Sequence, residues 1–117
     1  MNLLDLIKAL LSYDTLTARQ WIADAERSGF VWASVPAPKG LDATASALAA
    51  GLAELLASRA GQAPPAWTAT VPAAPERVFL VRSAARMPRL RESCEREGPE
   101  PLRRRGLMAP PDFLTIA

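Results

Sequence analysis

Residues 41–61, LDATASALAAGLAELLASRAG, form the stretch that decides the fold of this chain. Its apolar side chains recur in steps of three and four, which is the spacing of one face of an α-helix. They are Ala45, Leu48, Leu52 and Leu55. Asp42 and Thr44 are residue types that cap a helix start, and Gly61 suits the left-handed residue that ends one. The sequence therefore predicts a central helix over residues 43–60.

The central helix is poor in charge. Glu54 and Arg59 are its only charged side chains, and its many alanines make it slim. A helix with so few charges is expected to be covered on more than one side. The cover has to come from the rest of this chain, from a second copy or from a partner protein.

Composition indicates one folded domain, 1–117. Half of the residues are hydrophobic, 22% are charged, and the formal net charge of +2 is too small to imply nucleic acid by itself. The sequence has neither a signal peptide nor an apolar run long enough to span a membrane. We therefore expect a cytoplasmic protein that does not associate with a membrane.

The residue types needed for catalysis are scarce. Histidine, the commonest general base and metal ligand, is absent, and Cys94 is the only cysteine. A single cysteine without histidine makes no plausible zinc site, and no glycine-rich phosphate loop follows a strand. Cys94 stands among charged residues of both signs, and we expect an ordinary helix cysteine there, with a reactive thiol as the alternative. The sequence therefore predicts no enzyme activity, no cofactor and no metal site.

The N-terminal part, 1–61, predicts a helical core that begins with a hairpin over residues 2–28. Asn2 can cap a leucine-rich first helix that ends near Ser12. Residues 17–20, TARQ, match a capping box and predict that a second helix starts there and runs to about Ser28. The wide apolar arc of the first helix is either core or the interface of a homodimer.

Residues 62–117 are punctuated by proline and rich in arginine, which predicts a C-terminal wrap of short helices and loops. We expect a short helix anchored by Trp67 and another that runs from Pro88 to about Glu97. The apolar run Val78–Val81 favours a strand, but the sequence offers no partner strand. We therefore expect a buried helical turn or an extended segment there.

Large apolar side chains and arginines remain whose neighbours the sequence does not identify. Phe30-Val31-Trp32 follows the end of the second helix and either packs on the hairpin or forms an exposed patch. Arg103, Arg104 and Arg105 either pair with nearby glutamates or meet an acidic or phosphate-bearing partner. The apolar tail requires a docking place in this chain or on a second protein. Its large side chains are Phe113, Leu114 and Ile116.

Two segments, ARQWIADAERSGFVW (18–32) and GPEPLRRRG-L-APPDFL (98–114), resemble small uncharacterised bacterial helical proteins. These are encoded beside nucleotidyltransferase-like genes, in toxin–antitoxin-like pairs. The resemblance implies an accessory or antitoxin-like subunit that binds the product of the neighbouring gene. It carries over no functional residues.

The sequence thus predicts an all-α, non-catalytic protein-binding module. Its expected contact residues favour types that dominate binding energy at interfaces, tryptophan and arginine among them. They are Trp32, Trp67, Arg103, Arg104, Arg105, Phe113, Leu114 and Ile116. The alternatives are a nucleic-acid binder that uses the arginine-rich C-terminal segment, and a homodimer that pairs through the first helix.

Overall fold

The computed structural model describes residues 2–115, and the predicted Ile116 contact lies outside this range. The architecture is mainly helical, which confirms the predicted all-α class. The helices are α1 (Leu3–Leu11), α2 (Thr15–Arg27), α3 (Ala43–Arg59), α4 (Pro88–Glu97) and α5 (Glu100–Arg103). Three short 3₁₀ helices cover Trp32–Ser34, Ala66–Thr70 and Arg82–Ala85, and two short strands are β1 (Val78–Phe79) and β2 (Leu107–Met108).

Helix α3 is the centre of the core. The Asp42 carboxylate accepts a hydrogen bond from the Ala45 amide, 2.8 Å away, and so caps its first turn. Its side chains are buried on nearly every face between Ala45 and Ala57, because α1, α5 and the 3₁₀ helix at 66–70 all pack against it. The cover that the charge-poor sequence requires is therefore supplied by this chain itself.

Helices α1 and α2 form the predicted hairpin, with one correction at its turn. Asn2 caps α1, as its side-chain oxygen accepts from the Leu4 amide 2.9 Å away. The predicted capping box at residues 17–20 is wrong, because α2 begins at Thr15 with Asp14 as its cap. The Asp14 carboxylate accepts a hydrogen bond from the Thr17 amide, so Thr17 lies inside the first turn of α2 and does not cap it.

The segment after α2 folds back onto the hairpin. Trp21, Phe30 and Trp32 pack against one another with ring centroids 4.8–6.0 Å apart, whereas Val31 is exposed. Gln62 fixes this segment beside the end of α3, because its amide group both accepts from the Trp32 amide and donates to the Phe30 carbonyl, each at 2.9 Å. Of the two alternatives for Phe30-Val31-Trp32, packing on the hairpin is therefore confirmed for Phe30 and Trp32.

A two-stranded parallel sheet closes the C-terminal wrap. Val78 lies opposite Leu107 and Phe79 opposite Met108. The expectation that the 78–81 run lacks a strand partner is therefore wrong, since its partner strand follows later in the chain, beyond α4 and α5. The ladder continues as the Leu80 amide donates to the Met108 carbonyl at 2.8 Å, which places Leu80 in the core.

The wrap closes against α3 at Gly51. A Cβ at this position would lie 2.7 Å from Leu102 Cδ2 and 3.1 Å from the Pro101 carbonyl oxygen, so any side chain there would push against α5, whereas glycine allows this close approach. None of the helices within residues 2–115 combines the length and apolar character needed to cross a membrane.

Candidate partner-binding surface

The apolar residues expected to contact a partner are largely occupied inside the chain. Trp32 is only 4% exposed, and Phe113 and Leu114 are equally buried in the same core. Trp67 is half-buried and donates from its indole nitrogen to the Val35 carbonyl at 2.8 Å. Their role in binding a partner stays a prediction, and the surface they present in this conformation is small.

The three consecutive arginines point to different places. Arg103 donates to the Arg96 carbonyl, whereas Arg104 and Arg105 both reach Glu54 of α3. Arg105 is 5% exposed and also donates to the Thr68 carbonyl at 2.8 Å. Pairing with glutamate was one of the expected alternatives, but the carboxylate comes from the central helix, far earlier in the chain, and not from the neighbouring segment.

The electrostatics of this pair are those of a structural ion pair. Burial raises the pKa of Glu54, but the hydrogen bonds and charge of Arg105, together with the bond from Arg104, outweigh that effect and hold the pKa below its ordinary value. The carboxylate is therefore ionised at neutral pH. It attaches the end of α5 to the middle of α3.

The surface that remains open lies elsewhere, at the turn between α1 and α2. The large hydrophobic side chains exposed among the described residues are Leu11, Tyr13, Leu16, Val31 and Met87. Tyr13 lies in that turn, Leu11 ends α1 just before it, and Leu16, which is 77% exposed, lies in the first turn of α2. Such a concentration is a feature of contact surfaces, whereas scattered exposed hydrophobic residues are ordinary.

A groove of about 750 Å³ runs between this turn and the segment around the 3₁₀ helix Arg82–Ala85. We call it the Tyr13 groove. Its walls include Tyr13, Thr15, Leu80, Val81, Arg82 and Arg86, and no acidic side chain lines it. The guanidinium of Arg82 lies over the Tyr13 ring, 5.1 Å from the ring centroid. This is a cation–π contact, and it holds the arginine at the edge of the groove.

The backbone of Tyr13 is in the left-handed region, with φ of 59°. Its amide donates to the Leu10 carbonyl at 3.1 Å, and the next amide, of Asp14, donates to the Ala9 carbonyl at 2.8 Å. This pair of bonds defines a Schellman motif, with Tyr13 at the position where glycine is preferred. The same motif ends α2 at Gly29 and α3 at Gly61.

Tyrosine therefore occupies a position where this chain uses glycine at two equivalent helix ends. A left-handed backbone costs a residue other than glycine about 1–2 kcal/mol. The cation–π contact between the Tyr13 ring and Arg82 offsets part of this cost, yet the Tyr13 side chain remains 41% exposed. Strained non-glycine residues concentrate at functional sites, so this position is a candidate for contact with another molecule.

None of the residues that line the Tyr13 groove is among the contact residues predicted from the sequence. One signal was available, namely a tyrosine where a helix end favours glycine. The other half of the groove, at Arg82 and Arg86, lies beyond the central helix in the sequence. No local pattern places it beside the turn.

Two observations concern the metal and thiol chemistry considered for this sequence. Among residues 2–115, no three histidine, cysteine, aspartate or glutamate side chains come together as a metal site would require. Cys94 is buried, and this burial raises the pKa of its thiol above the ordinary value, which lowers the thiolate fraction at neutral pH. Comparisons with family models, curated proteins and solved structures found no match to this chain.

Proposed function

We propose that this protein is a non-catalytic protein-binding module and that the Tyr13 groove is its contact surface. The observation that carries the proposal is Tyr13 itself. It keeps a large, half-exposed aromatic side chain on a backbone conformation that glycine adopts at lower cost. The contacts of Tyr13 within the chain do not fully offset this conformational cost. We infer that a bound partner contacts the Tyr13 side chain.

The composition of the groove supports this proposal. Tyrosine and arginine are among the residue types that most often dominate the energy of protein interfaces, and Tyr13, Arg82 and Arg86 provide both. Leu16 and Met87 follow the groove residues Thr15 and Arg86 directly in the chain and are exposed. A partner that covers the groove and these neighbours would remove apolar surface from water, which is worth about 25 cal/mol per Å².

The sharper form of the proposal is an antitoxin-like or accessory subunit, in the cytoplasm, that binds a nucleotidyltransferase-like neighbour. It rests on the resemblance of segments 18–32 and 98–114 described above. Co-expression with the product of the adjacent gene tests it. We expect the two proteins to co-purify and the toxicity of the neighbour to be relieved. Failure on both counts would remove the antitoxin-like role.

The contact surface is tested in the same system by Tyr13→Gly combined with Arg86→Glu. Both positions are exposed, and glycine suits the Tyr13 backbone, so the variant should fold. We expect co-purification to be lost, while the control variant Lys39→Glu, in a loop that does not line the groove, retains it. Unchanged co-purification of the groove variant would show that the partner binds elsewhere.

A nucleic-acid binder is the second candidate, and one observation favours it. Arg82, Arg86 and Arg89 are exposed and have no carboxylate within ion-pair distance among residues 2–115. The originally predicted contacts support it less, since Arg104 and Arg105 already pair with Glu54. A short DNA duplex should then bind at about 50 mM salt, and its affinity should fall steeply as the salt concentration rises. Binding no tighter than to a neutral control protein would exclude this function.

A homodimer through α1 has little surface left to use. Leu3, Leu6, Ile7 and Leu10 are buried within the chain, and Leu11 is the one large hydrophobic residue of this helix that is clearly exposed. Native mass spectrometry decides the question directly. A concentration-independent monomer would exclude the dimer.

A further inference from the structure

Building on the proposed function, we infer that the occupant of the Tyr13 groove is an acidic segment of a partner protein. This segment places a large apolar side chain against Val81 and the Tyr13 ring, and carboxylates on Arg82 and Arg86. The inference concerns the chemistry of the partner. It follows from the charge of the groove, from the apolar surface beside it, and from the position of Arg82.

The first argument is charge complementarity. Two arginines line the groove and no acidic side chain does. Elsewhere in the described residues, exposed arginines are commonly paired: Arg77 with Glu95, Arg96 with Glu92, and Arg27 with Asp24. Arg82 and Arg86 have no such partner within residues 2–115, so the groove has an uncompensated positive charge that favours an anionic occupant.

The second argument separates an acidic protein segment from a nucleic acid. Leu80 lies under the groove and is fully buried, whereas Val81 is half-exposed at its surface. Leu11, Leu16 and Met87 are exposed, and each lies next to or close to a lining residue in the chain. Phosphates would neutralise the arginines but leave these aliphatic side chains in water. A segment with both carboxylates and apolar side chains satisfies both sets of groups.

The third argument is the position of Arg82. Its guanidinium rests on the Tyr13 ring, so the side chain is already held at the groove before anything binds. A guanidinium held in this way can still donate two parallel hydrogen bonds to a carboxylate from its free edge. Less side-chain freedom is then lost on binding, which favours a carboxylate over a ligand without a planar pair of acceptors.

The test uses a library of short random peptides displayed on phage and selected on the immobilised full chain. Parallel selections use the Arg82→Gln/Arg86→Gln variant and the control Lys39→Gln, which also removes a positive charge. We expect peptides that the wild type and the control retain, but the double variant loses, to combine net negative charge with at least one large apolar residue. The affinity of such a peptide, once synthesised, should fall roughly tenfold on the double variant.

The variants separate the inference from the proposed function. Groove-dependent peptides that are neutral or basic would overturn the inference and leave protein binding at the groove intact. A selection without any groove-dependent peptide would overturn both. A short DNA duplex that displaces the selected peptides at lower concentration than they displace one another would identify a nucleic-acid site and also overturn the inference.

A second variant guards against an effect on folding. Arg82 and Arg86 are exposed and have no carboxylate partner among the described residues, and the double variant loses only the exposed cation–π contact with Tyr13, so its unfolding midpoint should lie close to that of the wild type. Tyr13→Gly suits the backbone at that position and retains both arginines. It should weaken the binding of the same peptides. Full binding by Tyr13→Gly together with a destabilised double variant would overturn the inference.

Discussion

Arg105 and Glu54 form a two-pronged ion pair across the interior of the protein. The two terminal nitrogens of Arg105 donate to the two carboxylate oxygens of Glu54, at 2.5 and 3.2 Å. Since Arg105 is almost fully buried, removal of the carboxylate charge leaves its own charge without compensation. Glu54→Gln should therefore lower the free energy of unfolding by about 3 kcal/mol, measured by urea denaturation. Glu95→Gln, which breaks the exposed pair with Arg77, should cost less than about 1 kcal/mol. Equal losses would mean that burial does not strengthen the Glu54 pair.

The same ion pair predicts how stability depends on pH. The folded-state pKa of Glu54 lies below its ordinary value of 4.5, so the folded state favours the ionised form. The resulting stabilisation is complete above the unfolded-state pKa and is lost as the pH falls through the lower folded-state pKa. Between about pH 5 and pH 3, the wild type should lose stability more steeply than Glu54→Gln. Parallel pH profiles would contradict the assignment.

Tyr13 predicts an unusual order of stability among its variants. Tyr13→Gly removes the left-handed strain and the cation–π contact together, whereas Tyr13→Ala removes the contact but keeps the strain. Tyr13→Gly should therefore be more stable than Tyr13→Ala by about 1 kcal/mol, although glycine is normally the weaker residue in a folded chain. Urea midpoints of the two variants measure the difference. The opposite order would show that Tyr13 is not strained.

Gly98 predicts a destabilisation that its backbone angles do not suggest. Its φ of −59° suits any residue, but a Cβ there would lie 2.6 Å from the carbonyl oxygens of Ala109 and Cys94. Gly98→Ala should cost about 2 kcal/mol or more, because both obstructing atoms belong to the backbone. Gly29→Ala, which has open space but a φ of 68°, should cost about 1 kcal/mol. A smaller effect at Gly98 would mean that the segment at Ala109 moves aside readily.

Cys94 predicts slow thiol chemistry in the native state. Its side chain is fully buried, and burial raises its thiol pKa above the ordinary value. A disulfide reagent at mildly alkaline pH should react slowly with the folded protein and at the rate of a free thiol in urea. The ratio of the two rates reports how often the α4 region opens. Rapid labelling of the folded protein would show that this region is loosely packed.

Two helices that depend on local chemistry, α3 and α4, were predicted correctly from the sequence. The bounds of α3 follow from the cap at Asp42, the spacing of its leucines and the glycine at Gly61. The same reasoning gave α4, which runs from Pro88 to Glu97 as expected. The choice of cap for α2 was wrong. Asp14 and Thr17 are both suitable residue types, and residue type alone does not decide between them.

The contacts between distant parts of the chain were not predictable in the same way. β1 and β2 are too short to give a pattern, and their pairing joins segments that α4 and α5 separate in the sequence. The sequence also left open whether Trp32, Phe113 and Leu114 are covered by the chain or by a partner. Both outcomes require the same apolar residues, so only the folded arrangement distinguishes the two.

The late position of the residues that cover α3 has a consequence for synthesis. Leu102 packs on Gly51 and Arg105 pairs with Glu54, yet both emerge from the ribosome long after Gly61. At about 5–20 residues per second, roughly 2–8 s pass between the synthesis of Gly61 and that of Leu102, and the apolar side of α3 that Leu102 covers is exposed during this time. This exposed apolar surface favours binding by a chaperone during synthesis. A chain truncated before Leu102 keeps the surface exposed and should aggregate.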